Sequence, residues 1–182
     1  TILATAATGR FELAIMLPKK KPEALAIVKG TFKIIRWVSF VSLILVLIIK
    51  NLNTTLTDFI EPAYFYFIPL SVFIFASINV LLQWQSRNKH FKIQATARIA
   101  QSATSNATNI GLGFLQLVKH AGLFIGHILG QALQLMILSK SFFGTEKKTI
   151  KNIIKKEVQD ELKKNLNFPL YSAPMGILNN FS

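Results

Sequence analysis

Five polar residues at helical spacing hold the most chemistry in this sequence. Arg98, Ser102, Ser105, Asn109 and Gln116 follow one another at steps of 4, 3, 4 and 7, which places all five on one face of an α-helix. Gln101 and Asn106 flank that face. From residue 99 to 118 the chain has no charged side chain for 20 positions. Polar groups in hydrocarbon are costly, so the stripe must face protein or water. Two roles fit it: the wall of a hydrophilic translocation cavity, or a seam of interhelical hydrogen bonds that only glues helices together.

A second set lies just downstream. His120, His127, Gln131 and Gln134 stand at steps of 7, 4 and 3, again one helical face. His127 can act as a protonation switch or as a plain hydrogen-bonding residue. On a neighbouring face Gly122, Gly126 and Gly130 form GxxxGxxxG. Small residues at that spacing let two helix backbones approach closely, so these three are expected to pack helices.

Enzyme chemistry has no foothold here. The chain carries 8 acidic residues and no cysteine, and no acid lies deep within the apolar segments. There is no Ser/His/Asp grouping, no metal-ligand spacing and no phosphate-binding loop. The Gly111 and Gly113 pair follows no strand and has no third glycine in place, so it is not a dinucleotide fingerprint. We expect a non-enzyme with no metal and no cofactor.

The elements that hold these residues are apolar and long. Apolar residues make up 51% of the 182 and charged ones 16%, against roughly 25% charged in ordinary globular proteins. The net charge of +13 sits outside the apolar runs, which argues for a membrane rather than nucleic acid. Residues 62–86, 99–118 and, with histidine neutral, 120–139 are uncharged for 25, 20 and 20 positions. About 20 helical residues cross a bilayer core. Residues 37–49 are uncharged for only 13, but reach back to Gly30 if Lys33 and Arg36 snorkel to the headgroups. The expected fold class is all-α: a polytopic membrane helix bundle with four full spans at about 31–50, 61–84, 95–118 and 121–139.

Charge sets the orientation. If the four spans hold, nineteen lysines and arginines fall on one side and only Lys50 and Lys119 on the other. The positive-inside rule puts the nineteen in the cytosol. Residues 1–17 read as the tail of a span cut off upstream, so the membrane bundle occupies 1–140. Residues 141–167 form a basic cytosolic linker. Within it, 145–166 is expected as one amphipathic helix, with Ile150, Ile153, Ile154, Val158 and Leu162 as its apolar stripe, lying on the membrane surface or joining two bundles. Residues 168–182 read as the first turns of a further span.

Several stretches resemble a known family. "TGRFELAIMLPKKKPEA" resembles the loop after the second transmembrane helix of bacterial oligosaccharide (O-antigen type) flippases, although the lysine triplet 19–21 replaces an acid-containing version. "PLSVFIFASINVLLQWQSRNKHFKIQATARIAQSATSNATNIGLG" is similar to the family's fourth and fifth helices and their loop. "GLFIGHILGQ" is similar to the sixth helix and "FPLYSAPMGILNNFS" to the start of the seventh. The family belongs to the multidrug/oligosaccharidyl-lipid/polysaccharide superfamily.

The resemblance implies one half of a two-bundle transporter of the bacterial inner membrane, with a second helical bundle as its missing partner. It implies alternating-access movement of a lipid-diphosphate-linked oligosaccharide for surface polysaccharide. Arginine suits the diphosphate and Asn, Gln and Ser suit glycan hydroxyls. Arg98, Asn109 and Gln116 would then line the cavity, and Arg36 would meet the substrate at the cytosolic side. The other readings are an inactive or structural membrane fragment and a small-molecule antiporter of the same superfamily. An antiporter calls for an acid deep in the bundle.

Overall fold

The structure is a computed structural model that describes residues 8–51, 67–114, 122–172 and 175. Every regular element among the described residues is helical. In chain order these are α1 (Phe11–Ala14), α2 (Lys21–Asn51), α3 (Phe67–Arg87), α4 (Phe91–Phe114), α5 (Gly122–Asn152) and α6 (Lys155–Lys164). A π-helical turn, Phe168–Ser172, follows.

Among the described residues, two helices are long and apolar enough to cross a membrane: Lys21–Ile48 within α2, and α3. The expectation of four full spans is therefore met only in part. α4 and α5 have the length, but their polar stripes and glycines dilute the apolar character that a span needs. Parts of the expected spans at 61–66 and 115–121 lie outside the described residues.

α2 begins as a helix should. Pro22 sits in the first turn, where its missing N–H costs nothing. Glu23 faces the positive end of the helix dipole. The N-terminal half of α2 is buried through Leu25, Ile27, Val28 and Ile35. The other half exposes Trp37, Phe40, Val41, Ile44, Leu45, Leu47 and Ile48. The core forms where α2, α3 and α5 meet. There Trp84 is fully buried and stands edge-on to Phe142 at 5.7 Å, and Phe142 lies 6.5 Å from Phe32. Such aromatic pairs add roughly 0.5–1.5 kcal/mol beyond their burial.

The chain departs from the expected helices in two places. The first is the N-terminal tail. A helix running through to Pro18 is interrupted because Gly9 (φ +54°) and Arg10 (φ 55°) both take the left-handed conformation. α1 is a separate turn beyond that break. The Arg87 guanidinium fixes it in place, donating to the carbonyls of Ile15 (2.8 Å) and Pro18.

The second is the linker. α5 runs past residue 139 to Asn152, and the helix expected over 145–166 breaks at Ile153 and Ile154. Lys29 of α2 supplies the cause: its Nζ donates to the carbonyls of Ile150 (3.1 Å) and Ile153 (2.9 Å). Carbonyls at a helix end lack intrahelical partners, and a cation there also suits the dipole. The next helix is started by Glu157, whose Oε2 accepts the Ile154 N–H at 3.2 Å. α6 then folds onto α2 at Gly30, where an added Cβ would meet Leu162 Cδ1 at 2.7 Å and Val158 Cγ1 at 3.0 Å. Most of the stripe is thus spent on protein: Ile153 and Val158 are buried, Ile150 and Leu162 half-buried, and only Ile154 points out.

Candidate functional site

The stripe on α4 divides into two parts. Its C-terminal part meets α5. Gly126 and Gly130 face α4 so closely that a Cβ at Gly130 would lie 2.6 Å from the Gln101 carbonyl oxygen and 3.1 Å from Ser105 Cβ. A Cβ at Gly126 would collide with Asn109 Oδ1 and lie 3.0 Å from the Ser105 carbonyl oxygen. Ser105 is buried in this seam, and the buried Oδ1 of Asn109 has no hydrogen-bond partner. Ser102 and Asn106 are exposed and share a long 3.5 Å contact. Gln116 lies outside the described residues, and so does His120.

Arg98, at the other end of the stripe, opens into a polar cavity of about 380 Å³ between α1, α3 and α4. Arg10 and Glu12 line it from the α1 side. α3 contributes Asn79, Gln83 and Ser86, and α4 contributes Gln94. Gln94 also fixes the α3–α4 corner, with its Nε2 donating to the Leu82 carbonyl (3.1 Å) and to Ser86 Oγ (2.8 Å).

Glu12 is the unusual group in this cavity. It is only 8% exposed, and its Oε2 has no hydrogen-bond partner. Burial pushes its carboxyl pKa upward; a hydrogen bond with Thr8 and the charge of Arg10 oppose the shift without cancelling it. Glu12 lies past the Gly9–Arg10 break, outside the candidate spans. Two guanidiniums, three amides and a hydroxyl can together bind an anionic, hydroxyl-rich ligand.

Arg36 lines a different cavity. A groove of about 620 Å³ runs between α2 and α6, with Lys29, Lys33, Arg36 and Lys155 around it and Trp37 and Phe40 at its side. The α5 residues separate as well. His127 is exposed, with its ring 5.6 Å from Phe75 of α3, while Gln131 and Gln134 are buried. Gly122 begins α5.

Sequence reasoning left out several cavity residues. Arg10 and Glu12, two residues apart, do not face each other on a helix and carry no signal in the sequence that they share a cavity. Asn79, Gln83 and Ser86 went unmarked although their steps of 4 and 3 repeat the spacing that singled out the α4 stripe. Arg87 was counted only as an orienting charge. Its two carbonyl acceptors are 69 and 72 residues away, beyond any local pattern. Compared with known proteins, the chain matches no family model, no curated protein and no solved structure.

Proposed function

We propose that this chain forms one helical bundle of a membrane transporter that moves a lipid-diphosphate-linked oligosaccharide across the bacterial inner membrane by alternating access. The polar cavity between α1, α3 and α4 carries the reading. It joins Arg98 to Arg10, Glu12, Asn79 and Gln83, although these elements border apolar helices. Guanidiniums engage diphosphate oxygens, and the amides engage sugar hydroxyls. Support also comes from the basic residues, whose alternation fits four crossings with the cavity's cationic end in the cytosol. The exposed apolar half of α2 fits a surface turned to lipid. The family resemblance agrees with this assignment, and a second helical bundle would complete the translocation path.

The test is surface glycan in cells that depend on the transporter, read beside its level in the membrane. Losing one charge-assisted partner costs about 1.5–3 kcal/mol. Arg98→Gln and Arg10→Gln should each lower glycan export about tenfold or more at unchanged protein level. Normal export in both variants refutes the assignment of this cavity. Glu12 favours a second reading, a proton-coupled antiporter for small solutes, because a carboxyl whose pKa is raised by burial is the kind of group such coupling uses. In that event Glu12→Gln uncouples solute movement from a pH gradient and leaves surface glycan intact.

A further inference from the structure

We propose that the groove between α2 and α6 holds the headgroup of an anionic phospholipid of the surrounding bilayer. Among the described residues no carboxylate lines this groove, whereas Lys29, Lys33, Arg36 and Lys155 do. Lys29 is engaged by the two carbonyls at the end of α5. Lys33, Arg36 and Lys155 have no hydrogen bond or ion pair among the described residues. Three unpaired cations from two helices are held around one cavity, and the apolar contact of Val158 and Leu162 with Gly30 keeps the helices together despite their repulsion.

The order of residues along α2 identifies the occupant. Lys33, Arg36, Phe40 and Ile44 recur at steps of 3, 4 and 4 on one side of the helix, and Trp37 stands four residues after Lys33 and three before Phe40 on the same side. Trp37 and Phe40 are 64% and 58% exposed, and Ile44, Leu45 and Ile48 beyond them are exposed too. Cation, aromatic and aliphatic thus succeed one another as phosphate, interfacial layer and acyl chain do in a leaflet. A guanidinium can hold two phosphate oxygens at once, and Lys155 closes the site from α6. The occupant therefore fastens the linker helix to the span. The inference rests on the reading of α2 as a membrane span.

Trp37 supplies the assay, since the other tryptophan, Trp84, is 1% exposed in the core. The protein is reconstituted in phosphatidylcholine carrying a small fraction of brominated lipid. Brominated phosphatidylglycerol should quench Trp37 more than equally brominated phosphatidylcholine. The variant Lys33→Gln/Arg36→Gln/Lys155→Gln should lose this preference, by about fivefold per cation and on the order of a hundredfold together. The charge-matched variant Lys147→Gln/Lys148→Gln/Lys163→Gln, outside the groove, should keep it. Equal quenching by the two lipids overturns the proposal, as does an equal loss in both triple variants. Failure of the protein to float with liposomes defeats the span reading and this proposal together; flotation without the preference defeats this proposal alone.

Discussion

Alanine at Gly130 and alanine at Gly144 should have opposite effects, although both lie within α5. At Gly130 the new methyl would start 2.6 Å from the Gln101 carbonyl oxygen, a backbone atom that no rotamer can move. Even weak C–H···O contacts settle at about 3.3–3.6 Å, so α4 and α5 must separate by roughly 0.7–1 Å. Overpacking of this kind costs about 1–3 kcal/mol. At Gly144 nothing lies within 4 Å. Both substitutions gain the same helix propensity, about 0.8–1 kcal/mol. That gain cancels in the comparison, leaving Gly144→Ala more stable than Gly130→Ala by about 1–3 kcal/mol. For a chain of this size the gap is about 2–12 °C in Tm, measurable by thermal unfolding of the detergent-solubilised protein. A Tm for Gly130→Ala equal to or above that of Gly144→Ala refutes the close approach of the two helices at this point.

Three further outcomes are expected. Arg87→Ala releases the Ile15 and Pro18 carbonyls, a loss of about 1.5–3 kcal/mol, and should speed trypsin cleavage after Lys19 and Lys20; unchanged cleavage refutes the clamp. Because the folded Glu12 carboxyl binds its proton more tightly than the ordinary value of 4.5, the native state holds more protons than the unfolded one, and stability falls as pH rises from 4.5 through the folded pKa. Glu12→Gln should remove that fall and stabilise the protein at neutral pH, and an unchanged pH–stability profile would contradict the burial argument. Finally, Lys21 Nζ lies 2.7 Å from Glu146 Oε1, with the lysine side chain 55% exposed and the glutamate 5%. Lys21→Ala strands a buried carboxylate at a cost of about 1–3 kcal/mol, whereas Glu146→Gln frees an ammonium that can turn to water, so Lys21→Ala should lower Tm more.

What could be read from the residues alone was whatever local spacing encodes. Helical character, the close-packing glycines and the polar face of α4 all follow from steps of three and four. The partner of each face does not. Ser105 and Asn109 share a stripe with Arg98, yet the first two pack on glycines of α5 and the third borders a cavity. The break at Ile153 and Ile154 carries no proline or glycine to announce it, because its cause, Lys29, lies more than a hundred residues upstream. Nothing in the local spacing marks Glu12 as buried, and only the packing of α1 against its neighbours makes it so.

The reach of Lys29 has a consequence for biogenesis. Its Ile150 acceptor is 121 residues downstream, and chains are made at about 5–20 residues per second, so roughly 6–24 s pass between synthesis of the two. Throughout that interval α2 waits with its ammonium and the Gly30 notch open, and the bundle can fasten its cytosolic end only after α5 has left the ribosome. This contact therefore forms only after residue 150 has been made, and slowing elongation between residues 50 and 150 prolongs the period in which α2 lacks it.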